Sequence, residues 1–85
     1  MDTQTWLKNW LQARGRGEPG ALGSNDDFVA LGVLDSFGTV ELISATEEHY
    51  GIEFEPGDFQ DKAFTTIAGF CGAIDRRCKQ KGDRP

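Results

Sequence analysis

Three stretches of the chain place apolar residues at helical spacing, and this pattern restricts the chain to an all-α fold. The first stripe, near the N-terminus, consists of Trp6, Leu7, Trp10 and Leu11. The inner face of the second comprises Thr39, Leu42, Ile43, Thr46 and Tyr50. The third stripe consists of Ile67, Phe70, Cys71, Ile74 and Cys78. Such spacing is typical of helices that cover a core with one face.

Capping residues predict where these helices begin and end. Asp35 is a good N-cap for a second helix over residues 36–50, and Gly51 supplies its C-terminal stop. Gly15 ends the first helix. The candidate N-caps of the other two helices are Asp2 or Thr3 for the first and Thr65 or Thr66 for the last.

The segments between the helices are predicted to be mostly irregular. Residues 14–27 form a long, glycine-rich first loop, and residues 28–34 are an apolar cluster that we expect to be pinned to the core. Residues 52–54 alternate like a strand but have no partner, so we expect a loop. A turn at 56–57 and one short helical turn over 58–63 complete a small four-helix bundle with three main helices and one short helix.

Chain length limits what such a bundle can do. With 85 residues the chain is one domain, which we assign to residues 1–80, followed by a frayed tail over 81–85. A domain this short buries only about 60% of its unfolded surface, so an enclosed catalytic cleft is hard to build. No stretch approaches the roughly 18 apolar residues of a membrane span. The first residues also lack the pattern of a secretory signal.

The charge of the chain is unevenly distributed. There are 14 acidic and 9 basic residues, a net charge of −5, which argues against nucleic-acid binding because that requires a basic face. Residues 26–61 hold ten acidic residues and no basic one: Asp26, Asp27, Asp35, Glu41, Glu47, Glu48, Glu53, Glu55, Asp58 and Asp61. A stretch without its own cations is either a solvated acidic face or a docking surface for basic partners.

Cysteine and histidine are too scarce for a recognisable zinc site. Cys71 and Cys78 lie on one helical face, about 10.5 Å apart, beyond the ~7 Å limit for a disulfide, so free thiols in a reducing, cytoplasmic setting are expected. A hydrolase built on Ser36 and His49 would need these side chains to meet. On one straight helix they are about 20 Å apart.

Ser36 follows the N-cap Asp35, where free N–H groups and the helix dipole favour a phosphate. On its own, an Asp-Ser pair is merely a helix start. The surrounding LGVLDSFGTVEL, residues 31–42, resembles the phosphopantetheine-attachment motif of acyl carrier proteins. Residues 47–52 and 64–67 are similar to the family's end of the second helix and start of the last, so the resemblance covers roughly residues 28–74.

The resemblance implies that Ser36, beside Asp35, would receive 4′-phosphopantetheine from coenzyme A through a phosphopantetheinyl transferase. The arm would hold an acyl or aminoacyl group as a thioester. The protein would then be no enzyme but a carrier, a monomer that presents cargo from a loading ligase to downstream biosynthetic enzymes. By residue match, its docking residues on the second helix would be Phe37, Val40, Glu41, Glu47 and Glu48.

Departures from the family pattern bear on the cargo. Phe37 replaces the commoner leucine, Gly38 stands where fatty-acid carriers often have an acidic residue, and Thr46 would make a channel for a long chain less apolar. The sequence is closer to D-alanyl or aminoacyl carriers, or to those of polyketide and nonribosomal-peptide assembly, than to carriers of fatty acid biosynthesis. The alternative is a helical interaction module that carries no arm and acts through its acidic second helix.

Overall fold

The computed structural model describes residues 2–15 and 22–82. The helices are α1 (Thr3–Arg14), α2 (Ser36–Tyr50), α3 (Pro56–Gln60), a 3₁₀ turn (Lys62–Thr65) and α4 (Ile67–Gly82). In these ranges there is no β-strand, and a single bridge joins Asp27 to Thr66. The predicted all-α fold, with three main helices and one short helix, is confirmed.

The bounds of α2 are those that its caps predict. The Asp35 carboxylate accepts a hydrogen bond from the Gly38 N–H at 2.7 Å, which satisfies one of the donors that a helix start leaves free. At the other end Gly51 takes a left-handed conformation with φ 64°, which costs a glycine little. Both ends therefore depend on residues adjacent to the helix.

The other two long helices also begin at capping side chains. Asp2 accepts from the Thr5 N–H at 2.7 Å. The Thr66 hydroxyl accepts from the Gly69 N–H at 2.9 Å, so Thr66 rather than Thr65 caps α4. The backbone of α4 continues to Gly82, two residues past the predicted end of the domain. The rest of the predicted tail, residues 83–85, and residues 16–21 of the first loop lie outside the described residues.

The short helix differs from the prediction. We expected a turn at Pro56, but α3 begins there. Proline suits the first position of a helix, because the N–H group that it lacks would have no acceptor within the helix. A capping box supports this start: the Glu55 N–H donates to Asp58 Oδ2 at 2.9 Å. The single helical turn expected over 58–63 is therefore divided between α3 and the 3₁₀ turn.

The core is formed by side chains of α1, α2, α4, the 3₁₀ turn and the loops between them. Its fully buried large side chains are Leu7, Leu11, Phe28, Leu42, Thr46, Ile67, Phe70 and Ile74. Phe28, Val33 and Leu34 hold the loop over 28–34 to the core as expected, but Leu31 does not, since it is 61% exposed. Cys71 and Cys78 are half-buried, and neither forms a disulfide. Among the described residues no helix is long and apolar enough to cross a lipid bilayer.

A buried ion pair joins α3 to α4. The side chain of Asp58 is only 4% exposed and accepts from Arg77 through Nε at 2.9 Å and Nη2 at 3.0 Å. These bonds hold the pKa of Asp58 below its ordinary value. Arg77 also lies 3.4 Å from Glu55. The acidic stretch is therefore not without partners: the cations come from helices outside it.

Candidate functional site

Ser36 is exposed and lines an open groove of about 500 Å³. One wall is the C-terminal end of α1, where Arg14 lies. Another is the loop before α2, and the third is the first half of α2 as far as Glu41. The groove is partly open to solvent, and it gives a large group access to the exposed Ser36.

The loop that leads to Ser36 is held by its backbone. The Phe28 N–H donates to the Thr65 carbonyl at 2.9 Å, and the Val33 N–H donates to the Phe28 carbonyl at 2.9 Å. Gly32 takes φ 80°, a left-handed conformation that favours glycine. Since Val33 and Leu34 are buried directly before Asp35, the start of α2 is fixed relative to the core.

The first turn of α2 leaves hydrogen-bond donors available. Asp35 takes the Gly38 N–H, but the N–H groups of Ser36 and Phe37 have no acceptor within the part of the chain that the structure describes. Together with the helix dipole they favour an anion at Ser36. There is a steric reason for a glycine at position 38. A Cβ there would lie 3.1 Å from Leu34 Cδ2 and 3.3 Å from Asp35 Oδ1, and so would crowd the capping carboxylate.

Three exposed apolar side chains lie at the groove or next in the chain to residues that line it. Phe37 is 72% exposed, and Val40 and Leu31 are exposed to a similar degree. Phe37 and Val40 are two of the predicted docking residues. Leu31 was missed because its loop was expected to be pinned to the core as a whole. A local signal that could have found it is the adjacent Gly32, whose left-handed conformation marks a turn at this point of the loop.

The predicted acidic docking residues have three different surroundings. Glu48 is exposed on α2. Glu41 lies 3.5 Å from Arg14, a long contact between exposed groups. Glu47 is half-buried and accepts from the Phe54 N–H at 2.9 Å, so it ties the end of α2 to the following segment. Arg14, which sequence reasoning counted only as a charge, therefore belongs to the groove.

His49 lies at the opposite end of α2 from Ser36. Its ring stacks on Trp6 with 4.9 Å between centroids and meets Tyr50 edge-on at 4.8 Å. Ser36 and His49 lie at opposite ends of one helix, so the hydrolase arrangement of these two residues does not form. No cluster of three or more potential metal ligands occurs among the described residues.

The family model for a phosphopantetheine attachment site matches residues 10–74, most of the chain and all of the groove. The chain therefore belongs to the phosphopantetheine-dependent carrier family, to which acyl carrier proteins belong. Domains of this family hold a covalent 4′-phosphopantetheine group and carry intermediates instead of catalysing reactions. No curated protein matches the chain.

The groove fits such a group. An exposed hydroxyl, the free N–H donors of Ser36 and Phe37 and open space beside them suit a phosphodiester. The group, when bound, supplies a flexible arm with a terminal thiol that forms thioesters. The residues of this chain supply the attachment point and its electrostatic surroundings.

Proposed function

We propose that Ser36 carries the 4′-phosphopantetheine arm and that the protein presents a small acyl or aminoacyl cargo to biosynthetic enzymes of the cytoplasm. The observation that carries the proposal is the exposed position of Ser36 at the start of α2, beside the groove. Asp35 supports the site indirectly, because its carboxylate caps the helix that presents the serine.

Attachment requires little from the protein itself. The Ser36 oxygen forms a bond to the phosphorus of coenzyme A that carries the pantetheine, the pyrophosphate bond breaks, and 3′,5′-ADP leaves. The Asp35 carboxylate is occupied by the Gly38 N–H, and the other carboxylate at the groove, Glu41, faces Arg14. We therefore assign removal of the hydroxyl proton to a separate phosphopantetheinyl transferase.

The packing of α2 supports a small cargo. Leu42 and Thr46, on the inner face of the helix, are fully buried. The Thr46 hydroxyl donates to the Leu42 carbonyl at 2.7 Å, so its polar group is satisfied without a partner elsewhere. A long acyl chain that entered the bundle would have to displace this packing. A short or aminoacyl group can instead stay outside, at the end of the arm.

The transferase, the loading ligase and later enzymes are proposed to dock on one surface, the docking face, formed by Phe37, Val40, Glu41 and Glu48. Exposed apolar side chains with carboxylates beside them suit basic enzyme surfaces that have an apolar centre. Glu47 contributes less, since its carboxylate is engaged by Phe54.

The proposal is tested by the intact mass of the protein after incubation with coenzyme A and a broad-specificity transferase. We expect the wild-type protein to gain one phosphopantetheine group and Ser36→Ala to gain none. Ser44→Ala is the matched control, because Ser44 is an exposed serine further along α2. An unmodified wild-type protein would contradict the proposal and favour the interaction module that works through the docking face alone.

A further inference from the structure

Arg14 is the one cation that lines the groove beside Ser36 in the described part of the chain, and two carboxylates, Asp35 and Glu41, line it as well. A phosphodiester on Ser36 would add another negative charge to this group. Without a cation nearby, that charge would be repelled by both carboxylates.

The position of Arg14 is set by the contact between α1 and the loop before α2. Gly15, directly after Arg14, lies so close to Val33 that a Cβ would be 2.8 Å from Val33 Cγ1. Val33 is two residues before Asp35. The end of α1 therefore packs against the same loop that leads to Ser36, which places Arg14 and Ser36 at the same groove.

The Arg14 guanidinium packs on the Trp10 ring, and most of its N–H donors are available. It lies over the Trp10 ring, 5.4 Å from the centroid, and Nη1 is 3.5 Å from Glu41. That ion pair is long and both side chains are exposed, so it contributes little and is easily exchanged. Arginine suits a phosphate particularly well, because its planar donors match two phosphate oxygens at once.

We propose that Arg14 exchanges Glu41 for the phosphodiester of the arm on Ser36 and so holds the root of the arm over the groove. Arg14 acts as a positioning residue and takes no part in forming the attachment. The exchange ends the pairing of the exposed Glu41 carboxylate with Arg14, so that a basic partner can pair with Glu41 instead. The inference rests on attachment at Ser36.

The test is the ³¹P NMR resonance of the arm in the protein already carrying phosphopantetheine, recorded at low and at high salt. We expect Arg14→Gln to shift this resonance and to abolish most of its salt dependence, since the contact is exposed and screened by ions. Arg76→Gln is the matched control: Arg76 is an exposed arginine with an ion pair of 3.4 Å to Asp58, away from the groove.

Two more variants keep the test independent of folding effects. Arg14→Lys retains the charge but not the paired donors, and we expect an intermediate resonance. Glu41→Gln removes the carboxylate that competes with the phosphodiester for Arg14. Relative to wild type, the ³¹P resonance of this variant should therefore shift in the direction opposite to that of Arg14→Gln. Circular dichroism checks that each variant is folded.

The outcomes separate this inference from the proposed function. A mass gain with the same ³¹P resonance and salt dependence in wild type and Arg14→Gln would overturn the role of Arg14 and leave attachment at Ser36 intact. An equal shift in Arg76→Gln would also overturn it. Failure of the wild type to gain mass would overturn both.

Discussion

The two ends of the molecule use the same kinds of residue in opposite ways. At the groove end, around Ser36, Glu41 is 44% exposed and has one contact of 3.5 Å to Arg14. At the α3–α4 end, Asp58 is 4% exposed and has two bonds from Arg77 at 2.9 and 3.0 Å. The Glu41 carboxylate is therefore accessible to partners, whereas the Asp58 carboxylate is engaged within the fold.

The exposed phenylalanines repeat this contrast. Phe59, near the α3–α4 end, is 47% exposed, yet its ring meets Phe64 at 5.4 Å and Phe54 at 6.2 Å. Phe37 is 72% exposed and takes part in no ring contact among the described residues. An exposed apolar side chain that the fold does not use is the one that a partner can bury.

The largest effect is expected from breaking the ion pair at the α3–α4 end. Asp58→Asn removes the charge opposite Arg77 and replaces one of the two oxygens that accept from Arg77 with an NH2 group, which cannot accept. The remaining carboxylate near Arg77 is then the exposed Glu55, 3.4 Å away. Removing one partner of a buried pair costs about 3 kcal/mol, which urea denaturation at neutral pH measures as a lower free energy of unfolding. The exposed Glu53→Gln is the control and should change stability by less than about 0.5 kcal/mol.

The same variant has a defined pH dependence. Hydrogen bonds from Arg77 lower the pKa of Asp58 below its ordinary 3.8, so its stabilisation is fully present above that value. As the pH falls through the lower pKa of the folded state, the carboxylate is protonated and the stabilisation is lost. The stability difference between wild type and Asp58→Asn should therefore be constant near neutral pH and shrink below pH 3.8. A difference that persists unchanged in acid would contradict the assignment.

Local signals allowed the helices to be predicted, whereas contacts between distant segments were missed. The caps of α2 are adjacent to it, so its bounds follow from Asp35 and Gly51 alone. The partners Asp58 and Arg77 are 19 residues apart and meet only because α3 packs on α4. Charge counting over residues 26–61 treated Asp58 as one more surface carboxylate for this reason.

The candidate site shows the same limit. Ser36 and its neighbours on α2 form a continuous motif and could be predicted from sequence. Arg14 reaches the groove only through the packing of α1 against Val33, which no local pattern indicates.

A smaller effect is expected at Glu47, which sequence reasoning grouped with the docking residues. Glu47→Ala removes the acceptor of the Phe54 N–H, and an unsatisfied backbone donor costs about 1–2 kcal/mol of unfolding free energy. Its neighbour Glu48 is exposed, and Glu48→Ala should leave stability within about 0.5 kcal/mol of wild type. Urea denaturation measures the unfolding free energy of both variants. Equal losses of unfolding free energy would contradict a stabilising role for the Glu47–Phe54 hydrogen bond.

The division between the two ends is tested most directly with two alanine variants of exposed phenylalanines, each measured for unfolding free energy and for kcat/KM with the transferase. Phe37→Ala should lower kcat/KM about 10-fold, as loss of an interface anchor does, with stability within about 0.5 kcal/mol of wild type. Phe59→Ala should lose about 1 kcal/mol of stability through its ring contacts and keep its kcat/KM. The reverse pattern, or equal effects of both variants on kcat/KM, would contradict the account.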